Sequence, residues 1–261
     1  MPQYAHWLLK IKDHIATLTL NRPEVKNRID NTTLLELEQI SLQLDANPEV
    51  WVILLKASGS AFSAGVDVSL IGGMIDNDNA TFAKNLRASQ QVLDTFEAID
   101  KPTIAALHGY VVGGGLILAL CCDFRIAADN TIVSLPEVKR SIGVIMGTQR
   151  ITRTIGVANT KELVMLANPI DANKGMHMGL FTKVVGLDAL ENEVQAMADQ
   201  LLKLPPLAVG LCKKIINEGQ FLDRSGQDLE IEAQAALLKT DDFKEAISSF
   251  FEKRKPVYKG H

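Results

Sequence analysis

Residues 102–122 read PTIAALHGYVVGGGLILALCC, and the architecture turns on how this stretch divides. Pro102 to Leu107 is a short apolar run of strand length, the pattern of a strand buried on both faces. Gly113-Gly114-Gly115 then interrupts the chain, and Leu116 to Cys122 reads as a helix that is apolar all round and therefore buried. Between strand and helix, His108 to Gly115 reads as a glycine-rich loop.

The same alternation extends outward. His14 to Leu20 is β-rich and stops at the turn signal Asn21-Arg22-Pro23. From Thr32 the spacing of Leu34, Leu37, Ile40 and Leu44 predicts a helix, capped by Asp30 or Asn31. Val50 to Lys56 is a second buried strand, followed by a loop over Ala57 to Gly65 and a helix over Thr81 to Ile99. Phe124 to Ala127 and Ile132 to Ser134 are further strands. Strands and helices alternating through short connections imply a layered α/β fold with right-handed crossovers. After Val185 the pattern turns helical: Ala189 to Leu204, Ala208 to Glu218, Leu229 to Leu238 and Phe243 to Lys253. We therefore divide the chain into an α/β core over 1–195 and a helical region over 196–261.

Composition excludes several classes. The 261 residues are 47% hydrophobic and 22% charged, with 27 Lys and Arg against 31 Asp and Glu, a net charge of −4 that gives no reason to expect a nucleic acid partner. Three cysteines without CxxC spacing (Cys121, Cys122, Cys212) argue against disulfides or structural zinc and fit a reducing compartment. No run approaches the roughly 18 apolar residues of a membrane helix, and Met1 to Lys10 lacks a signal peptide's regions, so a cytoplasmic protein is expected.

Two loops follow buried strands and are poor in side chains: Ser63-Ala64-Gly65-Val66-Asp67 and His108 to Gly115. Glycines leave backbone N–H groups uncovered, and a following helix adds its positive end, an arrangement suited to anions or developing oxyanions. Tight turns and close helix packing would produce the same glycines. The pattern is neither GxGxxG nor a P-loop, and no GxSxG elbow occurs.

Taken together the loops resemble the crotonase (enoyl-CoA hydratase/isomerase) superfamily. The resemblance rests on Leu20-Asn21-Arg22-Pro23, Ala61 to Asp67, Lys101-Pro102 through the Gly113 to Gly115 triplet, and Cys122-Asp123. It continues through Leu135-Pro136-Glu137, Gly147-Thr148-Gln149-Arg150 and Phe251 to Pro256, covering essentially the whole chain. It implies a β/β/α spiral core with a C-terminal helical trimerisation region, a trimer or hexamer as the assembly, and an acyl-CoA thioester as substrate. No cofactor is implied, since coenzyme A is part of the substrate; no metal is expected either, because His177, between Met176 and Met178, has no second His or carboxylate at i+4. Carried over, the N–H groups of Val66 and Gly114 form an oxyanion hole, where one such donor is worth about 3 kcal/mol to a transition state. Glu137 falls at the superfamily's second catalytic glutamate, and a carboxylate facing an apolar pocket can shuttle protons near neutral pH.

The chain departs from a standard hydratase in two places. Where hydratases carry a glutamate two residues past the triplet, this chain has Ile117, which can neither activate water nor deliver a proton. The segment 141–146 is also shorter and more apolar than a hydratase's glycine run. A single carboxylate over an oxyanion hole suffices to move a double bond, so isomerisation stands slightly ahead. The alternatives are hydration of an unusual substrate, decarboxylation or thioester hydrolysis, and a thioester-binding or assembly subunit with little turnover. The acyl pocket walls are expected from Leu70 to Leu93 and the C-terminal helices.

Other residues stay open at this level. Lys26 is either a phosphate contact for CoA or a solvated lysine. Ala64 and Val66 would border the thioester, and Arg28 would touch CoA or replace packing. Lys253, Lys255 and their basic neighbours Arg254 and Lys259 are either a CoA-reaching segment or a solvated charge run. His108 reads as a packed histidine, Asp67 and Asp123 as residues that hold loops and strand starts through hydrogen bonds, and Cys121 and Cys122 as core.

Overall fold

The computed structural model describes residues 4–67, 78–140, 142–144, 146–219 and 236–261. A six-stranded sheet runs in the order β1 (Trp7–Lys12), β2 (Ile15–Leu20), β3 (Val52–Ala57), β4 (Thr103–Leu107), β6 (Phe124–Ala128), β9 (Lys183–Val185). Only β1 and β2 pair antiparallel; the remaining neighbours are parallel. The apolar runs read from the sequence occupy its middle, where Leu18 lies beside Leu55 and Leu55 beside Ala105.

Parallel strands need both faces covered, and alternation along each strand divides the core accordingly. Ile53, Leu55, Ala105 and Leu107 face the larger cluster, shared with Leu37, Ile40 and Leu44 of α1 (Asn31–Ala46) and Phe96 of α2 (Asn79–Glu97). Val52, Leu54, Ile104 and Ala106 face the opposite way, against Leu190, Val194 and Ala198 of α6 (Leu190–Leu201). Asp30 caps α1 through a reciprocal capping box with Thr33. The Lys101 ammonium closes the other end of α1, donating to the carbonyls of Leu44, Asp45 and Asn47.

A second sheet of three strands, β5 (Tyr110–Val112), β7 (Ile132–Ser134) and β8 (Ile170–Asp171), lies one step further along the chain. Thus β4 passes through His108-Gly109 into β5 and then α3 (Gly114–Leu120), and β6 passes into β7, so each turn places one strand in each sheet. This is the β/β/α spiral that the resemblance implies. The structure corrects the sequence reading at β5, which falls in a stretch read as loop. Three residues are too few to show a period, and β5 exists because Val111 is wholly buried and paired with Val133. β1 was likewise not anticipated.

After the 3-10 turn Glu137–Arg140 come α4 (Thr148–Met165), kinked at Gly156, and α5 (Ala172–Met178). The helical last third holds α6, α7 (Pro206–Glu218) and α8 (Asp241–Glu252). Most of the helix expected over Leu229 to Leu238, and part of the expected pocket wall from Leu70 to Leu93, lie outside the described residues. Among the described residues no helix is long and apolar enough to cross a membrane.

Candidate active site

The two glycine-bearing segments meet because each is stitched to a common neighbour. Ser63 bridges to Val111 of β5: its N–H donates to the Tyr110 carbonyl at 3.0 Å, and its carbonyl accepts from Val112 N at 2.9 Å. Two residues on, Val66 bridges to Ile29, where Ile29 N donates to Gly65 O and Asp67 N to Ile29 O, both at 2.9 Å. N–H groups alternate in direction along extended chain. With residues 65 and 67 bonded to Ile29, the Val66 N–H points away from it, towards the glycine triplet.

Gly114 sits on that side. A Cβ built on Gly114 would lie 3.5 Å from Val66 N and would collide with the Val66 side chain, so only glycine allows this approach. As the first residue of α3, Gly114 has no partner for its N–H within the helix. Among the described residues, no hydrogen bond takes up the N–H of Val66 or of Gly114. Two donors close together, one at a helix start, suit an oxygen that gains negative charge.

Glu137 stands over the same triplet. Gly113 adopts φ 49°, a left-handed conformation, and its N–H donates to Ser134 O at 2.9 Å. A Cβ there would come within 2.5 Å of Glu137 Oε1, so the carboxylate fills the space a side chain would need. Its other oxygen, Oε2, is buried and has no hydrogen-bond partner, the one such side-chain atom among the described residues. Burial pushes the Glu137 carboxyl above the ordinary carboxylate range, against a smaller lowering from its own backbone and Arg140.

Ile117 lies one turn further along α3 and is 2% exposed. It presses on Gly147 at the start of α4, where any Cβ would overlap the isoleucine side chain. Val144 belongs to the same buried cluster, with Met146 packed against it, so this side of the site is apolar. Ser141 and Ile145 of the altered segment lie outside the described residues.

The remaining residues singled out in the sequence divide clearly. The Lys26 carbonyl accepts from Ala64 N at 2.8 Å, which ties the first loop to the Pro23–Val25 turn, while the Lys26 side chain is exposed. Arg28 and Asp67 form an ion pair at 3.4 Å, so Asp67 binds its surroundings by a carboxylate as well as by its backbone. His108 is half-buried, and its Nε2 meets Gly59 O at 3.0 Å. Cys121 and Cys122 are buried, and burial pushes both thiols up, Cys122 to about 12. Lys253 and Lys255 follow α8 and are exposed; no described hydrogen bond or ion pair joins them to the two loops. Arg254, between them, is held by Glu245 and Glu252.

Asn27 escaped the sequence reading. It is wholly buried, at φ 54°, and its side chain donates to Ser58 O and Ala61 O at 2.7 and 2.9 Å while accepting from Arg22 N at 2.8 Å. It thus ties the turn before Ile29 to the chain entering the first loop. Its signal was available: asparagine is enriched at left-handed positions, and this one closes a turn.

The chain is similar to known proteins over nearly its whole length. The model of the enoyl-CoA hydratase/isomerase family matches residues 10–261. The chain is 36% identical over 258 residues to crotonyl-CoA hydratase of Syntrophomonas wolfei, covering 97% of both chains. It is 34% identical over 256 residues to enoyl-CoA isomerase/hydratase fer4 of Mycosarcoma maydis, covering 93% of this chain and 92% of that one. Among solved structures, enoyl-CoA hydratase from Bacillus anthracis superposes with a TM-score of 0.90 at 31% identity, over 98% of this chain and all of that one. A spiral core, two converging glycine segments and relatives aligned end to end lead to one conclusion: the chain belongs to the enoyl-CoA hydratase/isomerase family of the crotonase superfamily.

Proposed function

We propose that the protein shifts a double bond along an enoyl-CoA thioester, with Glu137 as its single proton carrier. The Glu137 carboxylate takes a proton from Cα of a 3-enoyl thioester. The negative charge moves onto the thioester oxygen, where the N–H groups of Val66 and Gly114 receive it. The carboxylic acid then returns the proton at Cγ, leaving the 2-enoyl thioester and the starting carboxylate. Lys26, Ala64, Lys253 and Lys255 are assigned to the CoA portion, the last two from a neighbouring subunit of a homo-oligomer.

The observation that carries this reading is the orphaned Glu137 Oε2, a buried acceptor on a carboxyl group that packs on Gly113, the neighbour of Gly114 in the chain. Leaving such an atom unpaired costs stability, which a site retains when substrate or its proton supplies the partner. Ile117 supports isomerisation over hydration, because an apolar residue packed on Gly147 can neither activate nor hold water.

Hydration is the second reading, favoured by the S. wolfei relative's name. Turnover of mixed 2- and 3-enoyl-CoA in heavy water, read by mass spectrometry, separates the two. Isomerisation gives product of unchanged composition carrying deuterium at Cα or Cγ. A product heavier by one water would overturn it.

Two further results are expected. The acidic limb of the kcat/KM profile lies above the ordinary carboxylate value of 4.5, because activity needs ionised Glu137 and is lost as pH falls through its raised pKa. Ile117→Glu places a second carboxylate in an apolar wall and is expected to raise the ratio of hydrated to isomerised product, measured on the same mixture. An unchanged ratio would mean that segment 141–146 also excludes water.

A further inference from the structure

We propose that the Arg28–Asp67 ion pair is a positioning pair that aims the Val66 N–H at the thioester oxygen; this rests on the role given to Val66 above. The two residues flank a single bridge. Arg28 immediately precedes Ile29, and Asp67 immediately follows Val66, so the side-chain pair spans the Ile29–Val66 contact.

That contact is weakly held by its backbone alone. It is an isolated bridge of two hydrogen bonds, from Ile29 N to Gly65 O and from Asp67 N to Ile29 O. Gly65, just before Val66, has φ 90° and restrains the chain little. A rotation of the 65–66 peptide would turn the Val66 N–H away from Gly114 at the loss of one bond, from Ile29 N to Gly65 O, while the Gly65 N–H stays on Ser63 Oγ at 3.1 Å and Ser63 stays on β5. The Arg28–Asp67 pair closes the far side of this hinge. It spans 3.4 Å, with Asp67 18% and Arg28 42% exposed at their side chains. As a stability element a pair this open contributes little. A small displacement of a donor nevertheless costs rate, since electrostatic stabilisation depends on donors already being in place.

Arg28 can be replaced without undoing its own backbone. Its carbonyl is held at 2.7 Å by Arg22 Nη1, which is also paired with Asp30, and the neighbouring Asn27 is anchored independently. The Arg28 side chain is therefore free to act on the loop opposite rather than on its own turn.

The test compares Arg28→Ala, Arg28→Lys, Asp67→Asn and the double variant on 3-enoyl-CoA. Removing either charge is expected to lower kcat about tenfold, with KM within about twofold, because the substrate still binds while one donor is misaimed. Arg28→Lys should restore most of the loss, and the double variant should be no worse than either single one. In a Glu137→Gln background, the carbonyl stretch of bound ¹³C-labelled 2-enoyl-CoA reads the donors directly. Removing Arg28 should move this band back towards that of free thioester.

A raised KM with unchanged kcat would overturn the proposal, since the guanidinium would then be binding CoA itself. An unmoved carbonyl band would also overturn it. Should Arg28→Ala fold poorly, Arg28→Met keeps the apolar stem and carries the same expectation. Failure of the catalytic reading looks different: wild-type protein would not turn over enoyl thioesters, or Glu137→Gln would stay active, whatever the Arg28 variants do to the band.

Discussion

Glu137→Gln is expected to lower kcat by about a thousandfold, while enoyl-CoA binding stays within a few-fold of wild type. Glutamine keeps the shape over Gly113 and the contact of one oxygen, but it cannot accept the Cα proton. Fluorescence or calorimetric titration with 2-enoyl-CoA checks binding, and steady-state turnover checks the rate. Retained activity would remove Glu137 from the mechanism.

The same variant should also report on stability, with a definite sign. Burial raises the folded-state pKa of Glu137, so its contribution is fully present below the ordinary value of 4.5 and is lost as pH rises through the raised value. Above that window the ionised, unpartnered carboxylate is a liability that glutamine does not carry. Glu137→Gln is therefore expected to melt at or above the wild-type temperature at pH 8, with the difference closing below pH 4.5. A variant that melts well below wild type at pH 8 would show that Glu137 is a structural residue.

The largest loss of stability is expected at Asp123. Its Oδ2 accepts from Thr103 N and Oγ1 at 2.7 and 2.8 Å and pairs with Lys213 Nζ at 2.9 Å. Lys213 is 8% exposed and also donates to Lys101 O at 2.9 Å, so this cluster fastens α7 to the starts of β4 and β6. Asp123→Ala leaves the buried Lys213 ammonium with the Lys101 carbonyl but no carboxylate, and leaves the Thr103 backbone N–H unpaired. Breaking such a pair costs about 3 kcal/mol or more, or a fall in melting temperature of about 10 °C at this chain length. Adding Lys213→Met should recover part of that loss, because the buried charge left without a counter-charge is gone. A double variant no more stable than Asp123→Ala would show that the hydrogen bonds to Thr103 dominate.

Much of the fold was legible in advance. Apolar runs such as Val50 to Lys56 and Pro102 to Leu107 have strand length and no polar face, the pattern of strands covered on both faces, and both occupy the middle of the sheet. The stripe of Leu37, Ile40 and Leu44 marked α1, and Asp30 its start. Elements of two or three residues, such as β5 and β8, were not legible. They are too short to carry a period and exist through partners distant in sequence.

The sequence by itself determined the family, the longer strands and helices of the α/β core, and the replacement of a hydratase glutamate by Ile117. These are properties of residue type and local spacing, which the chain carries without folding. Only the tertiary structure decided that Ile117 closes on Gly147, that Asn27 ties the turn to the loop, and that Arg28 meets Asp67 across a single bridge. It also decided that Glu137 keeps one oxygen buried and unpaired. Desolvation and donor direction depend on everything packed around a group, and those neighbours come from segments far apart along the chain.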